Sequence, residues 1–162
     1  MTLAKKGGIA IRGARHEDFD RFMVLARAMH EESRFRRYPI NEAKVKELFG
    51  LHIDKAAAYC VLLAERADGQ LVGMLGGLVT DFFFSDARVA QDRVFFVLPE
   101  ARGTSAAVRL LAAFRRWAEN RQVDELEINM SVAVDMPRFN RLMTHLGFAC
   151  CGSNFHLYLQ KK

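Results

Sequence analysis

The residues best suited to chemistry stand in one run, Phe95-Phe96-Val97-Leu98-Pro99-Glu100-Ala101-Arg102-Gly103-Thr104-Ser105-Ala106-Ala107-Val108. An apolar strand is predicted to end at Pro99, and small residues then lead into an amphipathic helix. The first turn of such a helix carries N–H groups without partners inside the helix, together with the positive end of its dipole. Gly103, Ser105, Ala106 and Ala107 leave that end unobstructed, so its backbone is a candidate seat for phosphate oxygens, and a diphosphate would fit. Strand-to-helix turns also carry Gly and Ser for folding reasons alone, and on the residues by themselves the two readings stand level.

The rest of the chain predicts the elements that must hold this turn. Ile9 to Ile11 starts a short strand, and His16, Glu17 and Asp18 open a helix whose Phe19, Phe22, Met23, Ala26 and Met29 share one face. Asn41 caps a second helix through about Leu51. Tyr59 to Glu65 and Leu71 to Val79 read as strands joined by the turn Ala67-Asp68-Gly69-Gln70, and Val94 to Leu98 as another strand. After Ser105, Ala107, Leu110, Leu111, Phe114, Trp117 and Ala118 recur at helical spacing, the strongest periodic segment of the chain. Leu126 to Met130 alternates as a strand. Asp135 and Pro137 start a helix through Phe139, Leu142, Met143 and Leu146, which Gly147 stops. Phe148 to Cys151 and Phe155 to Leu159 are predicted as two last strands around Gly152, Ser153 and Asn154. This order implies a single α/β or α+β domain over residues 1–162, with one mixed sheet and helices against both faces.

Bulk properties agree with one domain: 162 residues, 18.4 kDa and a hydrophobic fraction of 51% suffice for a sizeable core. No apolar run reaches the roughly 18 to 20 residues of a membrane helix, and no apolar stretch follows Lys5 and Lys6 to make a secretory signal, so a cytoplasmic location is expected. Cys60, Cys150 and Cys151 suit neither a disulfide framework nor a zinc site, and no metal is expected. A net charge of +5 and a pI near 9.4 fit attraction to nucleic acid, to an anionic membrane or to a polyanionic cofactor, and the sign alone does not choose among them. Phe82, Phe83 and Phe84 cluster at a hairpin end, as edge packing, a homodimer contact or a substrate lip.

The block from Val97 to Ala107 resembles the acyl-CoA motif of the GNAT superfamily of N-acyltransferases, Arg/Gln-x-x-Gly-x-Gly/Ala after a strand ending near Val-x-Pro-Glu. Arg102 and Ala107 match its ends, and Ser105 replaces its middle glycine; the RGTSAA form is similar to phage or prophage variants. Leu146-Gly147-Phe148 resembles the family's entry into a late strand. The element order agrees from Ile9 to Leu159, although only these two blocks are specific. The resemblance implies a GNAT-like, mostly antiparallel central sheet and acetyl-CoA as acyl donor. Its pantetheine arm would run along Phe95, Phe96 and Val97. Its diphosphate would rest on the backbone of Gly103, Thr104, Ser105, Ala106, Ala107 and Val108, with Arg102 at the start of the loop.

The implied reaction is direct attack of a neutral primary amine, on a small molecule or peptide, on the thioester carbonyl, with a strand N–H near Val97 stabilising the oxyanion. Relatives supply a tyrosine acid five residues before the Phe of Leu-Gly-Phe; here that position is Met143, which can neither donate nor accept a catalytic proton. A CoA thiol is acidic enough to leave as thiolate. His145 lies about 200° around the helix from Met143 and is no substitute. The catalytic residues are therefore left unknown. His30, Glu32 and Arg34, at the end of the first helix, are acceptor-side candidates, Asp92 is a candidate base or amine-binding carboxylate, and Tyr158 could serve only if it faced the cleft. Two alternatives stand beside the enzyme: an acyl-CoA-binding homologue of little activity, and a basic nucleic-acid-binding protein, which the absence of a recognition motif disfavours.

Overall fold

The computed structural model describes residues 8–130, 132, 135–152 and 155–159. They fall into two compact units, Met1–Val132 and Ala133–Lys162. The first holds a five-stranded sheet in the order β1-β2-β3-β4-β5, from β1 (Ala10–Gly13), β2 (Tyr59–Glu65), β3 (Leu71–Asp81), β4 (Arg88–Val97) and β5 (Glu125–Glu127). The first four strands pair antiparallel and β5 runs parallel to β4, which makes the sheet mixed and mostly antiparallel. Three helices accompany it: α1 (Phe19–Glu32), α2 (Glu42–Asp54) and α3 (Ala106–Glu119).

Two glycines of β3 decide how α3 seats. A Cβ at Gly73 would stand 3.1 Å from Leu110, and one at Gly77 would stand 2.6 Å from the Phe114 ring. Leu110 and Phe114 are completely buried on the apolar face of α3, so the glycines let that helix lie directly on the sheet. The α1 helix packs on β3 and β4 from the opposite face and α2 on β2. At α2, Asn41 acts as the cap, its side-chain oxygen accepting from the Lys44 N–H at 3.0 Å.

The strands β4 and β5 depart most from their sequence patterns, while β3 runs two residues past the expected Val79 and β1 covers Ala10–Gly13. The β4 strand begins at Arg88, six residues before the expected Val94, because Val89, Ala90 and Gln91 pair with Leu78, Val79 and Thr80 in the hairpin although Gln91, Asp92 and Arg93 interrupt the apolar run. The β5 strand stops at Glu127 rather than Met130, for a reason that lies in the site below. At the tip of the β3–β4 hairpin, Phe83 is 99% exposed, with its ring edge against Phe84.

The second unit contains α4 (Met136–His145), capped by Asp135, whose carboxylate accepts from the Arg138 N–H at 3.0 Å. Gly147 follows the helix at φ +89°, the left-handed value that ends it. The strands expected at Phe148–Cys151 and Phe155–Leu159 are not formed; no described residue there is in a strand. A strand requires ladder partners, and among the described residues these segments have none. Phe155, Leu157 and Leu159, the alternate positions meant for a core face, are instead 94%, 82% and 82% exposed. Ser153 and Asn154, expected between the two strands, lie outside the described residues.

Candidate active site

The site is built where β4 loses its partner. The parallel ladder with β5 runs from Val89 opposite Glu125 to Gln91 opposite Glu127 and ends there. One residue on, Asp92 turns its carboxylate into the ladder's path. Its Oδ1 accepts from the backbone N–H of Asn129 at 2.6 Å and from the Asn129 side-chain amide at 3.2 Å. A donor that would have continued the ladder is thereby bound to a side chain, and the strands part. Against β3, Gly77 faces Asp92 and Gly76 faces Val94, so Arg93 is an extra residue that bends β4 at the same point. Beyond it, among the described residues, no strand pairs with 94–97 on the side away from β3.

That open edge carries backbone groups. The Leu98 N–H donates to the Val72 carbonyl on β3 at 2.9 Å, so the Val97 carbonyl points away from β3. In an extended strand a residue's N–H and C=O share a side, which places the Val97 N–H on the open edge as well. The side chains of Phe95, Phe96 and Val97 are buried and serve the core.

The turn after Pro99 follows directly. Gly103 has φ +84°, a conformation that requires glycine here, whereas Ser105 has φ −75° and ψ 0°, which any residue adopts. The serine in the motif's middle glycine position therefore costs the backbone nothing. The Thr104 N–H donates to the Ala101 carbonyl at 3.3 Å and the Ala106 N–H to the Thr104 hydroxyl at 3.3 Å. The N–H groups of Gly103, Ser105, Ala107 and Val108 have no acceptor among the described residues, and Ser105 makes no side-chain cap. Four donors at the positive end of a 14-residue helix can bind an anion.

Arg102 joins this turn to α1. Its Nε donates to the Val97 carbonyl at 3.0 Å, its Nη2 to Glu32 Oε2 at 2.6 Å, and its guanidinium lies 5.6 Å from the Phe96 ring centroid. The end of α1 is also tied to the chain beyond β5, through a bridge between Ser33 and Val132. His30 Nε2 meets the Tyr38 carbonyl at 2.8 Å. The open edge of β4, the turn after it and Glu32 at the end of α1 thus border one region, whereas His30 is engaged with the Tyr38 carbonyl and the Arg34 guanidinium lies over the Phe35 ring. Asp92 lies at its apex, where the strands part.

Asp92 is 8% exposed, and burial pushes its carboxyl up to about 6; the two Asn129 donors oppose that rise and nearby Glu127 adds to it. The buried Cys60 thiol is pushed up to about 12 by the same desolvation and is not a nucleophile. Tyr158 belongs to the second unit, where its ring meets His156 edge-on, and Met143 is buried in α4. Among the described residues no cluster of His, Cys, Asp or Glu could hold a metal ion. Asn129 and Ser33 are the participants that sequence reasoning missed; each acts through a partner so distant in sequence that no local signal marks it.

The fold is shared with known acetyltransferases. The chain superposes on glucosamine-6-phosphate N-acetyltransferase from Arabidopsis thaliana with a TM-score of 0.74 at 9% identity, covering 94% of this chain and 99% of that one. It superposes on an acetyltransferase from Trypanosoma brucei with 0.71 at 14%, covering 94% and 100%. For the aminoglycoside antibiotic 6'-N-acetyltransferase from Acinetobacter baumannii the values are 0.70 at 21%, covering 96% and 99%. At these identities the likeness is one of fold. No curated protein sequence matches the chain. The family model described as Acetyltransferase (GNAT) family matches residues 25–148, which contain β4, the anion turn and α3. The chain therefore belongs to the GNAT family of acetyltransferases, enzymes whose acetyl donor is acetyl-CoA.

Proposed function

We propose that this enzyme moves an acetyl group from acetyl-CoA to a primary amine by direct attack in a ternary complex, with Asp92 as the base. The observation that carries the reading is the adjacency of a strand edge at Val97 that no strand covers to the N–H groups of Gly103, Ser105, Ala107 and Val108, which have no acceptor among the described residues. The donor diphosphate rests on those N–H groups, and the pantetheine arm runs along 95–97. Arg102 either keeps its grip on the Val97 carbonyl or releases it to the arm.

In the chemical step the amine nitrogen bonds to the thioester carbon, and the oxyanion that forms takes a hydrogen bond from the Val97 N–H. The C–S bond then breaks, CoA leaves as thiolate and takes a proton from water, and the amine's proton passes through a chain of waters to Asp92, five residues back along β4. A base whose pKa stands near 6 is well matched to this task at neutral pH. With Met143 in the position where relatives carry a tyrosine, the thiolate leaves without a side-chain acid.

Calorimetric titration of the pure protein with acetyl-CoA and CoA tests the donor site without any guess at the acceptor. Micromolar binding is expected, and S105E is expected to weaken it at least tenfold by setting a carboxylate against the diphosphate; unchanged affinity would overturn the placement. Thiol release that depends on an added amine tests the reaction. Binding without such release would favour the acyl-CoA-binding homologue, the reading that Met143 supports.

A further inference from the structure

We infer that Glu32 is a positioning residue for the acyl donor: through Arg102 it closes the open edge of β4, and the incoming donor draws Arg102 away. This rests on the donor placement proposed above. Arg102 then gives up the Val97 carbonyl to the pantetheine arm, and Glu32 belongs to the donor side of the reaction rather than to the acceptor.

The open edge has few groups to offer. In an antiparallel ladder, alternate residues turn both backbone groups toward the same side. The Leu98 N–H bonds the Val72 carbonyl on β3, so Val97 faces away from β3, and so does Phe95 two residues earlier. The edge therefore presents the N–H and C=O groups of Phe95 and Val97. Arg102 Nε already occupies the Val97 carbonyl, at 3.0 Å. A pantetheine arm carries amides whose N–H groups need acceptors once they leave water. With the Val97 carbonyl taken, an arm laid along this edge loses an acceptor there, and full pairing requires Arg102 to let go.

Glu32 decides how firmly Arg102 sits. Its Oε2 accepts from Arg102 Nη2 at 2.6 Å, which fixes the planar guanidinium with Nε aimed at Val97. The two side chains are 33% and 27% exposed, so water screens the pair and it breaks at modest cost. The donor brings the means to break it. Arg102 directly precedes Gly103, where the proposed diphosphate seat begins, so the phosphate oxygens compete with Glu32 for the same guanidinium. As the guanidinium turns to the diphosphate, an arm N–H replaces it on the Val97 carbonyl, and that carbonyl has a partner before and after.

The sign of one substitution separates this role from a structural one. A site that must open before it binds has its affinity reduced in proportion to its open fraction. E32Q keeps the shape of the side chain and removes its charge, so Arg102 is released more readily and CoA binds more tightly. If the ion pair only braces the edge, its loss weakens binding instead.

Calorimetry of CoA against the wild type, E32Q and E31Q reads that sign. E31Q removes the neighbouring carboxylate, which has no bond to Arg102 among the described residues, and so measures the general effect of charge on a polyanionic ligand. E32Q is expected to bind CoA about threefold more tightly than E31Q does. Affinity no better than that of E31Q, or below that of the wild type, would overturn the inference. A crystal structure of the wild type with CoA reads the contact directly. Arg102 is expected on the diphosphate, with the Val97 carbonyl accepting from the arm; Arg102 still bonded to that carbonyl beside bound CoA sinks this inference alone. If CoA binds neither the wild type nor E32Q, the donor placement falls and this inference falls with it.

Discussion

Two buried aspartates in one unit are treated in opposite ways. Asp18, 2% exposed in the turn before α1, receives both terminal nitrogens of Arg12 at 2.7 Å and Arg21 at 3.2 Å. Arg12 and Arg21 also hold Glu65 of β2. The Arg12 guanidinium pulls the Asp18 carboxyl down to about 2, so it is charged and stabilised by that charge. Asp92, nearly as buried, has no arginine among the described residues, only the Asn129 donors and its own backbone N–H, and its carboxyl is pushed up to about 6. One carboxylate ties β1, β2 and α1 together; the other is held charged at neutral pH at a cost to the folded state. A charge kept where it destabilises the fold, at the point where two strands part, is what the proposed role of Asp92 as base requires.

The strongest way to break this contrast is to remove each charge. D18A leaves Glu65 as the one carboxylate on Arg12 and Arg21 among the described residues and should lower the unfolding free energy by about 3 kcal/mol, read by denaturant titration. D92N should do the reverse. A carboxyl titrating near 6 instead of 3.8 costs the folded state about 3 kcal/mol at neutral pH, and the near-isosteric amide removes most of that cost while keeping an acceptor for Asn129. The same variant should lower kcat by about 100-fold or more. A D92N protein that is less stable, or as active as the wild type, would return Asp92 to a structural role.

The signs extend to pH. Asp18 has a depressed pKa, so its contribution is present above about pH 4 and is lost as pH falls toward 2, a loss that D18N should lack. Asp92 has a raised pKa, so its cost is present above pH 6 and is relieved as pH falls toward 4; the stability advantage of D92N should shrink to nothing over that window. Activity should fall as pH drops through about 6, because a protonated Asp92 cannot take the amine's proton.

Smaller effects sharpen the picture. G77A forces a methyl toward the buried Phe114 ring and the Gln91 carbonyl, and should cost roughly 1 to 3 kcal/mol while leaving the pH profile in place. N129A removes one donor from Asp92 and keeps the backbone one, so the acidic limb of the profile should move up by roughly half a pH unit.

Much of the fold was legible because its signals are local. The apolar stripe of α3 is written in consecutive turns, the caps Asn41 and Asp135 stand next to the helices they start, and the Arg102–Val108 turn is continuous in sequence. The strand through Phe95, Phe96 and Val97 was legible for the same reason, whereas its open edge followed only from the family resemblance. Alternation misled in the last segment, where Phe155, Leu157 and Leu159 follow a strand pattern without a ladder to join.

What joins these pieces was not legible. Asp92 meets Asn129 across 37 residues, Arg102 meets Glu32 across 70, and Ser33 pairs with Val132. By itself the sequence determined the helices, the glycine-bearing turn between β4 and α3 and the identity of the groups available, because propensity, capping and turn chemistry act between neighbours. Only the tertiary structure decided which aspartate is neutralised by arginine and which is not, where β4 and β5 part, and that the end of α1 is tied to the chain beyond β5. Burial and charge pairing depend on residues brought together from distant parts of the chain, and they have no local signature.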